Sequence, residues 1–314
     1  MNSTGGSGVR DVAVICGPTA AGKSAVAMAL AVRTGALLIS ADSRQVYRQF
    51  DLGTAKPSPA DRDVVPHRGI DLIDATERYS AAQWCERALH WIAEADARRQ
   101  PVIIVGGTGF YLRALEEPLF ESPPVDAAAR VRVLAALDAQ DTATLRAQCK
   151  GIDPARAHLG RTQLLRALET FELTGRPLSE WLVERARPAV VRPHYLVVDP
   201  GVILRDRIAA RVQQMLHAGW EAEVATLMQA VPPDAPAWNA CGYAALRAAQ
   251  DGSLSRETAM ERTIIETRQY AKRQRTWFRH QLPADRATLL DPTASDAGMR
   301  AIEWFESASL SEHL

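Results

Sequence analysis

Four short apolar runs recur along the chain, and each is followed by small or polar residues and then by a helical pattern. Continuous runs of this length are typical of strands that are buried on both faces of a parallel sheet. The predicted strands are Val12–Cys16, Ala36–Ser40, Val102–Val105 and Tyr195–Asp199. Their alternation with helices predicts an α/β fold, a parallel sheet flanked by helices.

Helical periodicity fills most of the chain between and after these strands. Gln100-Pro101 provides a clear stop for one of the helices, because proline cannot continue a helix. The predicted helical stretches are Ser24 to Thr34, Ser80 to Arg98, Leu204 to Ala230, Tyr243 to Gln250 and about Arg256 to His280. The tail past Pro283 carries no pattern from which an element is predicted.

A change of character after Tyr111 indicates a second domain. Prolines and a serine break the chain near residue 122, and Ala/Arg/Leu-rich amphipathic helices then run from Asp126 to about Trp181. We predict a helical insertion domain at 121–190, set into a core formed by 9–120 and 191–314. The Gly/Ser/Thr-rich residues 1–8 are predicted to be a disordered N-terminus.

Composition excludes several classes of protein. No apolar run approaches the ~20 residues that span a bilayer, and no signal peptide is evident, so a cytoplasmic protein without a membrane partner is expected. The four cysteines form no C-x-x-C pair, which argues against zinc and disulfides. The formal net charge is zero, so overall charge does not point to nucleic acid. No long exposed apolar seam is evident, and a monomer is expected.

The strongest motif is GPTAAGKS at residues 17–24, which matches the phosphate-binding loop G-x-x-x-x-G-K-S. It lies between a predicted strand and a predicted helix, as such a loop must. Its glycines let backbone N–H groups surround oxyanions, Lys23 adds a point charge, and the Ser24 hydroxyl is a ligand for Mg²⁺. The motif predicts a site for a di- or triphosphate without saying which one.

Two further candidates follow predicted strands, where ligand-binding residues gather in such sheets. Asp42 follows the second strand and is a candidate general base or Mg²⁺ partner; a cap of the next helix is an equally good interpretation. Thr108 follows the third strand and is a candidate hydrogen-bond donor to a ligand. That strand ends in Gly106-Gly107 where many ATPases have an aspartate, which argues against ordinary ATP hydrolysis.

Two groups of cations have two interpretations each. Arg207 and Arg211 lie one helical turn apart, so they either reach a single anion or form a solvated helix face. Residues 268–280 read RQYAKRQRTWFRH, a run without an acid. A solvated face is the usual explanation of such a run, but its aromatic residues and lack of acids favour contact with RNA. His67 follows a proline in a loop, where a structural role is the more common one.

In combination these segments resemble the tRNA dimethylallyltransferases, the IPP transferase family. The resemblance runs in order over most of the chain. Its motifs are GPTAAGKS, ISADSRQVYRQFDLGTAKP, VPHRGIDLID, VIIVGGTGFYLRAL, RALETFELTGRPLSE, RIAARVQQMLHAGWEAEV, CGYAAL and RQYAKRQRTWFR. It implies a P-loop NTPase-like core that, with Mg²⁺, transfers a dimethylallyl group from dimethylallyl diphosphate to N6 of adenosine 37 in tRNA. The diphosphate is then a leaving group.

The resemblance also implies roles for residues. Asp42 takes the proton from the adenine amine or holds that amine in place, with Thr108 and Lys23 at the reacting centre and Ser24 on the metal. The residues implied in diphosphate binding are Gly17, Pro18, Thr19, Ala20, Ala21, Gly22, Lys23, Ser24, Arg207 and Arg211. The residues implied in tRNA binding are Asp42, Ser43, Arg44, Gln45, Thr108, Arg130, Arg161, Gln163, Arg166, Lys272, Arg273, Gln274, Arg275, Thr276 and Trp277.

One departure from the family and two alternatives stand beside this interpretation. Gln163 occupies a position where the family commonly has arginine, and Arg161 is the candidate substitute. A P-loop kinase that uses ATP on a small molecule is compatible with the loop and with zero net charge, but not with the acid-free run. A non-catalytic RNA-binding module is disfavoured, because Asp42 lies beside an intact Lys23-Ser24 pair.

Overall fold

The structure, a computed structural model, describes residues 9–116, 125–184 and 190–310. The predicted disorder of 1–8 and the predicted boundary at 120/121 lie outside this part. The described residues divide into two compact units, one made of 9–116 with 190–310 and the other of 125–184. No helix within these ranges is long and apolar enough to cross a membrane.

Six strands in the described part of the first unit form one parallel sheet, which confirms the predicted α/β class. The strands are β1 Arg10–Cys16, β2 Leu37–Ala41, β3 His67–Arg68, β4 Val102–Gly106, β5 Val191–Val198 and β6 Ala287–Leu290. Their order is β3-β2-β4-β1-β5-β6, so β1 is central and its loop opens at the middle of the carboxyl edge. The short edge strands β3 and β6 were not predicted.

The helices that the structure describes are divided between the two units. The first unit holds α1 Lys23–Thr34, α2 Pro59–Val64, α3 Ala81–Ala97 and α4 Gly109–Glu116, and the second holds α5 Ala127–Asp138, α6 Thr142–Ile152, α7 Arg161–Thr174 and α8 Leu178–Glu184. The first unit continues with α9 Leu204–His217, α10 Trp220–Ala230, α11 Tyr243–Gln250, α12 Arg256–Gln281 and α13 Ala297–Leu310. The stretch predicted as helical from Leu204 to Ala230 is therefore two helices, with the break at Ala218-Gly219.

The predicted strand at Tyr195 begins four residues earlier, at Val191. From the sequence, residues 188–193 are predicted to close the insertion before the strand returns to the sheet. Pro193 pairs with Val12 of β1 on one side of the strand, but pairing with β6 on the other side begins only at Tyr195. Since no ladder with β6 exists at Pro193, its missing N–H interrupts nothing there, and the proline is tolerated in β5.

Side chains of β1 alternate between two cores, which explains why the strand is apolar at every position from Val12 to Cys16. Val12, Val14 and Cys16 pack in the core that includes side chains of α3, α4 and α11. Ala13 and Ile15 pack in the other core, with α1 and α13. Helix α13 supplies the following buried side chains: Ala301, Trp304 and Phe305. The tail from which no element was predicted thus covers one face of the sheet.

The second unit is helical and has a core of its own. That core contains Leu137, Leu145, Cys149, Leu164 and Leu168, contributed by α5, α6 and α7. Asp126 and Asp141 cap α5 and α6 through side-chain bonds to Ala129 N and Thr144 N. The amphipathic pattern of this segment predicted helices correctly.

Candidate active site

Residues 17–24 form a compact loop between the central strand and α1. Gly17 has φ of +141°, and a Cβ there would lie 2.2 Å from the carbonyl oxygen of Val198, so the position requires glycine. The Lys23 ammonium donates to the carbonyl of Pro18 at 2.7 Å, and Ala21 N–H donates to the same oxygen at 3.3 Å. The loop is therefore folded on itself, with its lysine inside the curve.

The surroundings of Lys23 disfavour its positive charge. Burial, and next the positive charge of Arg211, lower the pKa of Lys23 to about 8, while the carboxylate of Asp42 acts in the opposite direction. An anion bound in the loop removes this penalty, since it supplies the countercharge that the protein does not. The loop is thus electrostatically prepared for a phosphate group.

Gln274 of α12 holds the loop against the sheet. Its Oε1 accepts a hydrogen bond from Thr19 N–H, and its Nε2 donates to the carbonyl of Gly107, both at 2.8 Å. The side chain is buried, so the structure places it inside the protein and not on the surface where the predicted tRNA contact would be. The sequence held a signal for this. Ala271, Gln274 and Phe278 are uncharged at helical spacing within the basic run, and all three are buried.

Asp42 lies directly after β2, and one of its oxygens shapes the turn that follows. Oδ1 accepts a hydrogen bond from Arg44 N–H at 2.8 Å, which closes a turn. The alternative prediction that Asp42 caps the next helix is wrong, because α2 begins only at Pro59 and is capped by Ser58. Within the described residues, no hydrogen-bond partner of Oδ2 is found. The role of Asp42 as a general base or Mg²⁺ partner stays a prediction, for which Oδ2 is the candidate atom.

Thr108 ties the ends of β2 and β4 together beside Asp42. Its N–H donates to the carbonyl of Ala41 at 3.1 Å, and its Oγ1 accepts a hydrogen bond from Ser43 N–H at 3.0 Å. The backbone on both sides of Asp42 is therefore anchored. These bonds keep Asp42 at the carboxyl edge of the sheet, beside Thr108.

Arg207 and Arg211 both lie next to the phosphate loop. Nη2 of Arg207 is 3.2 Å from the position that a Cβ on Gly22 would take. Burial lowers the pKa of the Arg211 guanidinium, and the charge of Asp42 opposes this. Since one helical turn separates the two residues on α9, their side chains reach the same region, as the spacing predicted.

Two cavities meet at Arg211. The loop cavity, of about 400 Å³, is lined by Lys23, Ser24 and Gln45 among others. The Asp42 cavity, of about 280 Å³, has a polar part with Asp42 and an apolar part formed by Ile208, Val212, Met215 and Trp220. Ala20 and Arg211 line both cavities. The arrangement places a phosphate cradle, a carboxylate and an apolar wall next to one another.

Internal hydrogen bonds hold the segment 45–56, which forms part of the walls of these cavities. Gln45 accepts from the Ser40 hydroxyl at 2.8 Å and donates to the carbonyls of Thr54 and Ala55. Its side chain is thus engaged inside the protein, whereas sequence reasoning placed it against tRNA. Lys56, which sequence reasoning missed, is buried and donates to Asp51 and Asp71, each at 2.6 Å. In the sequence, Lys56 appears only as a lysine near glycine, proline and aspartate, and this pattern does not predict that the side chain is buried.

The basic run on α12 has an outward face and an engaged face. Lys272, Arg273 and Thr276 are exposed. Arg275 bonds to Asp199, with Nε 2.8 Å from Oδ2, and Trp277 packs on Gly109. The exposed face is the part that is free to meet a partner, and Arg273 also lines the Asp42 cavity.

The arginines of the second unit that were predicted to contact tRNA have partners within that unit. Arg130 and Arg166 both bond to the buried Glu169, at 2.5 and 3.4 Å. Arg161 donates to the carbonyls of Gln140 and Asp138 at 2.6 and 2.7 Å. Gln163 is partly exposed. Contact of these residues with tRNA stays a prediction.

Comparison with known proteins identifies the family of this site. The family model described as IPP transferase matches residues 45–281. The chain belongs to the IPP transferase family. Among curated IPP transferase relatives, the tRNA dimethylallyltransferase of Nostoc punctiforme is 40% identical over 275 residues, 85% of this chain and 87% of the relative. That of a Bradyrhizobium species is 40% identical over 298 residues, 92% and 96% of the two chains.

Solved structures of IPP transferases share the fold. The full-length tRNA isopentenylpyrophosphate transferase from Bacillus halodurans superimposes with a TM-score of 0.69 at 31% identity, covering 97% of this chain and all of that one. A eukaryotic dimethylallyltransferase captured acting on tRNA has a TM-score of 0.82 at 24% identity, with 97% and 80% covered, and at that identity it supports the fold alone. The predicted P-loop NTPase-like fold is therefore confirmed.

Proposed function

We propose that this protein transfers the dimethylallyl group of dimethylallyl diphosphate to N6 of adenosine 37 in the anticodon loop of tRNA. The products are N6-isopentenyladenosine and diphosphate. The observation that carries this proposal is the meeting of the loop cavity and the Asp42 cavity at Arg211, because it puts a phosphate cradle beside a carboxylate with a free oxygen. The tRNA dimethylallyltransferases among its relatives support the same reaction.

The cations around the loop hold the diphosphate and favour its departure. Lys23, Arg207 and Arg211 converge on the loop, and backbone N–H groups of 17–24 complete the cradle. Negative charge grows on the bridging oxygen as the C1–O bond breaks. Preorganised cations at that point stabilise the transition state more than the bound donor.

Asp42 prepares the acceptor. An exocyclic adenine amine is a weak nucleophile, so its position and the fate of its proton decide the rate. Oδ2 of Asp42 accepts a hydrogen bond from the N6 amine, the nitrogen forms its bond to C1, and the proton passes to the carboxylate. The anchoring of Asp42 between Arg44 N–H and the Thr108–Ser43 contact keeps that oxygen aimed at one place.

The apolar part of the Asp42 cavity receives the prenyl group. Val212 and Trp220 are buried, and Met215 is partly buried at the same wall. Burial of a five-carbon group against these side chains binds the donor and keeps water from the allylic centre. Transfer to water, which would destroy the donor, is thereby suppressed.

The chain fits a Mg²⁺ ion that is bound mainly through phosphate. Ser24 offers a hydroxyl oxygen in the first turn of α1, and no group of three or more His, Cys, Asp or Glu side chains within the described ranges forms a metal site of its own. Magnesium characteristically takes one or two protein ligands together with phosphate oxygens and water. Bound on Ser24 and the diphosphate, it would neutralise charge on the leaving group.

The exposed face of α12 is proposed to meet the anticodon stem-loop. Lys272 and Arg273 neutralise phosphates there, and Arg44 and Tyr270 line the Asp42 cavity that a flipped adenine enters. Arg273 lies 5.9 Å from the ring of Tyr270, so cation and aromatic ring form one surface. We propose that the protein acts as a monomer in the cytoplasm, where its tRNA substrate is found.

One assay tests the proposal. The protein is mixed with Mg²⁺, unmodified tRNA bearing adenosine 37 and labelled dimethylallyl diphosphate, without ATP. Label is expected in the tRNA, and tRNA with guanosine 37 is the matched control. Absence of label in both, together with ATP consumption on a small acceptor in a parallel reaction that contains ATP, would overturn the proposal in favour of a kinase. The relatives and the end of β4, which lacks a carboxylate, disfavour that kinase.

A further inference from the structure

One face of α9 forms a wall of the Asp42 cavity. Ile208, Arg211, Val212 and Met215 recur at intervals of three and four residues, which places them on the same side of the helix. Within this stripe, Arg211 also lines the loop cavity and therefore lies next to the phosphate loop. Met215 comes one turn beyond Arg211 along the helix and does not line the loop cavity.

A larger cavity adjoins the same helix. This outer cavity, of about 720 Å³, is lined both by apolar residues such as Leu52 and Ala218 and by charged residues such as Asp51 and Arg62. The linings of the outer cavity and of the Asp42 cavity have two residues in common, Arg211 and Met215. Arg211 lies beside the phosphate loop, so Met215 is the side chain that separates the outer cavity from the apolar part of the Asp42 cavity.

Close packing and hydrogen bonds hold the Trp220 part of the Asp42 cavity in place. The Trp220 ring lies 2.3 Å from the position that a Cβ on Gly53 would take, so the ring and the backbone are in close contact. Glu223 accepts hydrogen bonds from Leu52 N–H at 2.8 Å and from the Tyr243 hydroxyl at 2.6 Å. The Tyr243 hydroxyl in turn accepts from Gly53 N–H at 3.2 Å. This network holds the backbone against which the Trp220 ring packs, and Met215 is itself packed against the same core.

We propose that Met215 determines the length of the allylic diphosphate that the enzyme accepts. The inference rests on the proposed function. At about 280 Å³, the Asp42 cavity is near the lower end of the range for ligand pockets, ~300 Å³, and it must hold both the prenyl group and part of the acceptor base. A second five-carbon unit collides with Met215. Shortening this side chain joins the cavity to the outer cavity and makes room for that unit.

The experiment compares two donors, dimethylallyl and geranyl diphosphate, on the same tRNA. For Met215→Ala, we expect the ratio of kcat/KM for geranyl to that for dimethylallyl diphosphate to rise by at least about tenfold over the wild-type ratio. Met215→Val removes less of the side chain and is expected to raise the ratio by a smaller factor. This second variant also tests the proposal if the alanine variant does not fold.

Met260→Ala is the matched control. Met260 is a partly buried methionine on α12 that packs in the same core but lines neither cavity, so its removal should leave the donor ratio at the wild-type value. A loss of overall stability lowers kcat/KM for both donors by the same factor, whereas a change in the accepted donor length changes the ratio of the two kcat/KM values. Inhibition by inorganic pyrophosphate should be the same in all variants, because the phosphate loop is intact.

The outcomes separate this inference from the proposed function. If the wild type transfers neither donor to tRNA, the proposed function fails. If the wild type uses dimethylallyl diphosphate, and folded Met215 variants keep the wild-type donor ratio, the assignment of Met215 is wrong while the proposed function stands. An equal rise of the ratio in Met260→Ala would also overturn the assignment.

Discussion

Gln274 accepts a hydrogen bond from the backbone N–H of Thr19 at 2.8 Å, although 255 residues separate the two in sequence. The contact joins the long C-terminal helix to the phosphate loop. Through its other bond, to Gly107, the same side chain reaches the end of β4. One neutral amide therefore aligns the loop that holds the diphosphate with the strand end that carries Thr108.

Gln274→Ala is expected to lower stability and weaken pyrophosphate binding together. The substitution leaves a backbone N–H and a buried carbonyl without partners, at a cost of about 1–3 kcal/mol. Thermal unfolding and calorimetric titration with pyrophosphate measure the two effects. Glu261→Ala, an exposed substitution on the same helix, should change neither. Unaltered pyrophosphate affinity in a folded Gln274→Ala variant would contradict the proposed link.

Asp42→Asn is expected to reduce turnover about 10²- to 10⁴-fold while pyrophosphate still binds. Asparagine can keep the hydrogen bond to Arg44 N–H through its carbonyl oxygen, so the turn is preserved and only the negative charge is lost. Asp42→Ala removes both. Single-turnover rates for the two variants separate the roles: equal losses assign the effect to the charge, and a much smaller loss for Asn assigns it to the turn.

Pyrophosphate affinity is expected to fall as pH rises from 7 to 9. The free protein loses the Lys23 proton in this window, because burial and Arg211 lower its pKa to about 8, and bound anion favours the charged form. The resulting decrease is about tenfold, since roughly one lysine in ten stays protonated one unit above its pKa. The Lys23→Arg variant stays positively charged over this pH range, so any change in its affinity comes from the titration of pyrophosphate alone. Parallel pH profiles for the two proteins would refute this account.

Lys272→Ala is expected to weaken tRNA binding and to lower the slope of log K against log salt concentration by about one. The side chain is exposed on the face of α12 proposed to contact phosphates. Filter binding between 50 and 200 mM salt measures the slope. Arg33→Ala is the control: it removes an exposed cation near the C-terminal end of α1, at the opposite end of that helix from the phosphate loop. This substitution should leave the salt slope unchanged. A slope that stays at the wild-type value in Lys272→Ala would assign this residue to an ordinary solvated face.

Some of the interpretations that the sequence left open were decided by distances across the fold. The pairing of Arg207 and Arg211 was visible as a spacing of four, but either a solvated face or an anion site was compatible with it. Contact with the phosphate loop requires α9 to cross the carboxyl edge of the sheet, and helical period carries no information about that. Likewise, β6 and α13 are stabilised by contacts with the sheet, β6 by pairing with β5 and α13 by packing against one face. The local sequence of the tail therefore does not predict them.

The sequence by itself determined the phosphate loop, the central strands of the parallel sheet and the helical character of the rest, because these depend on residue types at short, regular spacings. The tertiary structure alone decided which members of a motif reach the site. Gln274 and Lys272 stand two residues apart in the same basic run, yet one is buried against Thr19 and the other is exposed. The difference arises because a helix packed against a sheet has an inside and an outside, and its orientation is set by contacts with residues hundreds of positions away.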